Sequence, residues 1–91
     1  MAWTIEYTNT ARRNLKRLDK QTAQRIIDYM FTRIATADNP RQQGKPLTGS
    51  RSGSWRYRVG DYRIVCKILD NRICVLVLDI GHRSDVYRRK K

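Results

Sequence analysis

The sequence predicts an α+β fold: a mostly antiparallel sheet in the element order β-α-α-β-β-β-α, with two N-terminal helices packed on one face. Two short stretches, Trp3–Thr8 and Trp55–Val59, alternate apolar and polar residues with the period of a half-buried strand. Between them Ala11, Leu15 and Leu18, then Ala23, Ile26, Ile27, Met30, Phe31 and Ile34, recur at helical spacing. After them, Gly60-Asp61 and Asp70-Asn71 are turn signals that divide the remaining apolar runs into hairpins. Helices grouped ahead of hairpin strands are the pattern of an α+β domain.

In chain order, Trp3, Ile5 and Tyr7 give a first strand with one apolar face. Thr8 or Asn9 then caps a first helix, because a short polar side chain can accept from the free N–H groups of the first turn. A second helix is expected over about residues 21–37, and Asp38-Asn39-Pro40 ends it, since proline cannot continue a helix and restricts the residue before it. Residues 41–54 are mostly Gly, Ser, Gln, Arg and Lys, anchored only by Pro46 and Leu47, and read as a long connection. Three strands follow, Trp55–Val59, Tyr62–Leu69 and Ile73–Ile80, and the last is nearly continuous in apolar residues, as a central strand would be. Ser84 or Asp85 can cap a short closing helix that carries Tyr87, with Arg88, Arg89, Lys90 and Lys91 near its C-terminal end.

Ninety-one residues make one small domain, too short for an elaborate cofactor cleft. Its 20 Lys and Arg against eight Asp and Glu give a charge of +12. The excess is uneven: residues 41–91 hold thirteen of the basic side chains and only four acidic ones. Such a field concentrates a polyanion near the second half of the chain, which makes nucleic acid the first partner to consider. No apolar run is long enough to span a bilayer and no basic helix has a lipid-facing stripe, so no membrane role is expected. Met1 is followed by an alternating strand and not by a signal peptide, so a cytoplasmic location is expected. Cys66 and Cys74 fall inside buried strands without partners at ligand spacing and read as core thiols, with neither metal nor cofactor expected.

The chemistry gathers on the first hairpin. If Gly60-Asp61 is a two-residue turn, Val59 pairs with Tyr62, Arg58 lies directly opposite Arg63, and Arg56 shares their face. Like charges opposed across two strands cost stability, so three guanidinium groups so placed point to a bound anion. The last strand runs back and is expected to bring His82 and Arg83 to the same end. Lys45 and Arg51 could extend this basic surface. Arg12, Arg13, Lys16 and Arg17 on the first helix read as a solvated face, with non-specific phosphate attraction as the alternative. Tyr57 and Tyr62 read as core, Trp55 as core or rim, and Asp61 as a turn residue.

Three motifs carry a family resemblance: Lys45-Pro46-Leu47-Thr48-Gly49, the hairpin from Trp55 to Val65, and Ile80-Gly81-His82-Arg83-Ser84-Asp85-Val86-Tyr87. Taken in order over essentially the whole chain, they resemble the RelE toxins of bacterial toxin–antitoxin systems. The resemblance implies an endoribonuclease that cleaves messenger RNA in the A site of the 70S ribosome and is neutralised by a RelB-type antitoxin. It also implies that Arg56, Arg58, Arg63, Arg83 and Tyr87 are working residues, with His82 at a position that is not always histidine. Two other classes remain: a ParE-like toxin that targets DNA gyrase and cuts nothing, and a non-catalytic nucleic-acid-binding module.

Overall fold

The computed structural model describes residues 2–82 of the chain. Strand β1 (Thr4–Tyr7) leads into helix α1 (Asn9–Arg17), whose N-cap is Thr8: its hydroxyl accepts from the Ala11 N–H at 3.1 Å. Helix α2 (Lys20–Tyr29) is capped by Asp19, whose carboxylate accepts from the Thr22 N–H and hydroxyl at 3.1 and 2.7 Å.

The regular helix ends at Tyr29, earlier than the expected residue 37, and widens into a π turn over Met30–Ile34 that closes with Ala35 N–H donating to the Met30 carbonyl. The hydroxyls of Thr32 and Thr36 donate back to the carbonyls of Asp28 and Thr32, which draws helix carbonyls away from their regular partners. The turn keeps Met30, Ile34 and Ala35 buried while Phe31 stays 71% exposed.

The sheet has the order β1-β5-β4-β3-β2, formed by β2 (Lys45–Pro46), β3 (Trp55–Val59), β4 (Tyr62–Leu69) and β5 (Cys74–His82) with β1. β1 runs parallel to β5 and the other neighbours are antiparallel. Strand β2 lies within the stretch read from sequence as a connection; its proline suits an edge, where one row of N–H groups needs no partner. The turn before β5 is a 3₁₀ turn, Asp70–Arg72, and takes Ile73 into the left-handed region (φ 49°), so the strand starts one residue later than expected. The closing helix proposed from Ser84 or Asp85 lies outside the described residues.

One face of the sheet carries the core. Ala11, Ile26, Met30 and Ile34 from the helical segments pack on Tyr57, Ile64, Cys66, Val75, Val77 and Ile80. Burial pushes the Cys66 thiol up from its ordinary range, in keeping with a core thiol.

A bulge in β5 decides what the opposite face carries. Val65 pairs with Asp79 and Cys66 with Val77, leaving Leu78 as the extra residue. Beyond a one-residue insertion every side chain changes face. Val75 and Val77 therefore share the helix side with Ile80 and His82, and Asp79 turns to the open side. The bulge is held from the helix side: Thr8 donates its N–H to Val77 O at 3.0 Å and its hydroxyl to Leu78 O at 3.1 Å, and Asn14 Oδ1 accepts the Ile80 N–H at 2.9 Å. Those contacts satisfy the edge of β5 where β1 has ended.

Candidate functional site

The hairpin between β3 and β4 sets the site. Gly60 has φ 58° while Asp61 does not enter the left-handed region, the requirement of a II′ turn. Val59 then pairs with Tyr62 and Arg58 with Arg63, the register expected from the turn residues alone. Two rows of side chains cross the open face. One runs Arg58, Arg63, Gly81, and the other Lys45, Arg56, Val65, Asp79.

The rows differ in depth as well as in charge. Arg63 and Asp79 are each 7% exposed and form the floor; Arg56 is half-buried, and Arg58 and Lys45 stand exposed at the rim. Glycine at position 81 puts no side chain beside Arg63. Arg51 reaches in from the 3₁₀ turn Gly49–Arg51, and its Nη2 lies 3.4 Å from Asp79 Oδ2. Cations thus outnumber the one described carboxylate on these rows. Guanidinium groups can grip phosphate oxygens with two donors and stabilise charge that develops on them, which is the chemistry such an arrangement can perform.

The segment beside the rim is pinned at several points. Tyr57, fully buried, donates its hydroxyl to Pro40 O at 2.7 Å. Asn39 caps the 3₁₀ turn Pro40–Gln42 by accepting from Arg41 N–H at 3.0 Å. Arg41 grips Asp70 through both terminal nitrogens at 2.9 and 2.8 Å, which holds the Asp70 carboxyl below its ordinary range. Gly44 lies so close to Arg56 O that a side chain there would collide with it. The result is a groove of about 330 Å³ lined by Gln42, Gln43, Gly44, Lys45, Arg56 and Arg58.

The structure brings together Arg56, Arg58 and Arg63, with Lys45 and Arg51 beside them as expected. It does not bring in His82. That side chain packs edge-on against Tyr62, with centroids 5.8 Å apart, on the helix side, in a second groove with Asn14, Arg17 and Leu18. The expected meeting of His82 with the arginines is corrected by the Leu78 bulge, which puts positions 80 and 82 on the far face. Arg12, Arg13, Lys16 and Arg17 are exposed on α1, across the sheet from the arginine rows. Arg83 and Tyr87 lie outside the described residues. Sequence reasoning did not place Asp79 among the arginines or Gln42 and Gln43 beside them; the only sequence signal was a lone carboxylate interrupting an apolar strand.

Residues 5–87 match the family described as the ParE toxin of type II toxin–antitoxin system, parDE. Toxin RelG of Mycobacterium tuberculosis is 34% identical over 89 residues, covering 98% of this chain and all of the relative. Toxin RelE of the same organism is 36% identical over 84 residues, covering 92% of this chain and 84% of the relative. Among solved structures, the toxin–antitoxin complex RelBE2 of M. tuberculosis aligns with a TM-score of 0.83 at 30% identity, over 93% of this chain and 95% of that one. The isolated E. coli RelE toxin aligns with a TM-score of 0.68 at 14% identity, over 97% and 98%, a likeness of fold.

Proposed function

The chain belongs to the ParE toxin family of type II toxin–antitoxin systems and is a RelE-type toxin, and from that premise we propose that it is a ribosome-dependent endoribonuclease that cleaves messenger RNA in the A site. The observation that carries this reading is the opposition of Arg58 and Arg63, with Arg56 and Lys45 on the adjoining row of the same face. Like charges opposed across two strands cost folding stability, and a bound phosphodiester would offset that cost.

In this reading the substrate's 2′-hydroxyl loses its proton to solvent as its oxygen attacks the neighbouring phosphorus, and a 2′,3′-cyclic phosphate forms. The bond to the 5′-oxygen breaks as that oxygen takes a proton from solvent, so that no net proton is consumed. Arg63, fixed in the floor, binds the scissile phosphate and the charge that grows on its oxygens, and Arg83 is assigned the same task. Arg56 and Arg58 orient the flanking groups, and Tyr87 stacks on a base or assists proton transfer. Arginine is a poor base, and His82 stands on the other face, so much of the acceleration is assigned to orientation of the codon by the ribosome. The toxin acts in the cytoplasm, and a RelB-type antitoxin neutralises it; the aligned M. tuberculosis structure is a complex of that kind.

Programmed ribosomes with a defined A-site codon, and the same messenger RNA alone, test the reading. Cuts within the codon only on ribosomes support it, with Arg63→Ala losing cleavage while the fold persists. Cuts in naked RNA would mean a free-standing ribonuclease. No cutting in either, with gyrase inhibited instead, would transfer the chain to the gyrase-directed alternative, the ParE-like toxin whose name the matched family bears.

A further inference from the structure

The cations of the open face bind phosphate, and phosphate is the same at every position of an RNA, so they do not account for any choice of sequence. Reading a base requires paired donors and acceptors facing a base edge, which arginines and lysines crowded onto phosphates do not spare. The groove bordering Arg56 and Arg58 contains two side chains of the required type, the amides of Gln42 and Gln43. Each amide offers a donor and an acceptor at once.

Their placement is built and not incidental. A stretch reading Arg-Gln-Gln-Gly-Lys has no apolar anchor of its own and would be expected to move. Here it is fixed ahead by the buried Tyr57–Pro40 hydrogen bond and the two-toothed Arg41–Asp70 pair, and behind by the pairing of Lys45 with Arg56. Between these ties Gly44 brings the backbone onto β3 where no side chain would fit. A backbone held in place loses less freedom on binding, so the amides it presents spend less of their binding energy on ordering the segment. The groove, about 330 Å³, is at the small end of the roughly 300–1,000 Å³ typical of small-ligand sites, which suits one nucleotide.

We propose that Gln42 and Gln43 form a base-reading subsite for the nucleotide next to the phosphate held by the arginines, and that they set which bases the toxin prefers. The proposal rests on the RNA-directed reading above. Phosphate contacts from Lys45 and Arg56 hold the nucleotide in the groove, and the glutamine amides read its edge.

The test has two arms with the full-length chain. In the first, ribosomes programmed with codons differing at one position at a time are cut by the wild type, Gln42→Ala, Gln43→Ala and the double variant. In the second, fluorescence anisotropy measures binding of A, C, G and U hexanucleotides whose 2′-O-methyl groups prevent attack. Loss of a two-bonded base contact should shrink the preference between best and worst base by about ten- to hundredfold at one position. Gln43→Glu, which only accepts, should move the preference away from uracil, which has no amino group, towards the bases that present one. All the replaced side chains are exposed, so melting temperatures should match the wild type and serve as the control for folding. A preference that survives in the double variant, or a wild type without preference in either arm, overturns the subsite. Absence of cutting on ribosomes together with a glutamine-dependent preference for oligonucleotides overturns the ribosomal reading and leaves the subsite standing.

Discussion

Replacing Tyr57 with Phe removes a single oxygen at the point where the core meets the candidate site. Tyr57 lies in β3 between Arg56 and Arg58, is fully buried, and packs its ring 6.3 Å from that of Tyr29. Its hydroxyl donates to Pro40 O at 2.7 Å. Phenylalanine keeps the ring, so little cavity is created. What changes is the hydrogen bond, together with a buried carbonyl left without its donor, a loss of about 1–3 kcal/mol. In a domain of this size each 1 kcal/mol moves the melting temperature by about 4–8 °C, so a fall on the order of 10 °C is expected. Urea unfolding followed by tryptophan fluorescence should show a lower midpoint with unchanged slope, because the same surface is exposed. Amides of residues 42–45 should exchange with solvent faster, through local opening of the segment that Pro40 begins. A loss under about 0.5 kcal/mol would refute the view that this hydrogen bond ties the segment to the core. Unchanged exchange at 42–45 would assign that job to Arg41 and Asp70 alone.

Alkaline pH should weaken the fold. Burial pushes Tyr7 up to about 12, and pushes Tyr57 and Cys66 up further, so the folded chain keeps protons that the unfolded chain releases. Their stabilising contribution is whole below the unfolded values, about 8.5 for the thiol and 10 for the phenols, and is lost as pH rises towards the folded ones. Unfolding free energies from urea titrations between pH 7 and 11.5 should fall by up to about 1.4 kcal/mol per pH unit for each fully buried group, and a flat profile would be incompatible with this account. Gly44→Ala brings a methyl group against Arg56 O and within 2.7 Å of Trp55 Nε1. It should cost about 1–3 kcal/mol or displace Lys45 from its pairing, seen as a lower melting temperature or lost protection of the Lys45 amide, and a neutral result on both counts contradicts the close approach. Asp79→Asn takes the carboxylate from beside Arg51 in the floor of the site. Stability should fall by about 1–3 kcal/mol while single-stranded RNA binds more tightly at low salt; weaker binding would show that Asp79 orients the cations more than it offsets them.

The relation of Arg58 to Arg63 was legible in the sequence because it depends on four consecutive residues. A two-residue turn with glycine first fixes the pairing of Val59 with Tyr62, and the rest of the hairpin follows by alternation. The helices were legible for a similar reason: Thr8 and Asp19 cap them locally, and the apolar spacing states which side faces the sheet. The end of the second helix was not, since the π turn answers to threonine hydroxyls and to tertiary packing around Ile34. The face of each residue in the second half of β5 was also hidden. Nothing in Cys-Val-Leu-Val-Leu-Asp-Ile-Gly-His marks Leu78 as the extra residue, because the bulge is held by Thr8 and Asn14, 70 and 66 residues away from the groups they bond. That distant decision turns Asp79 towards the arginines and His82 away from them. The edge strand at Lys45 and the position of Gln42 and Gln43 depend likewise on Tyr57 and Asp70, far along the chain. The sequence by itself determined the helices, the hairpin and the charge that a polyanion would meet; the tertiary structure decided which side chains share a face, because that depends on bonds between segments that no local pattern records.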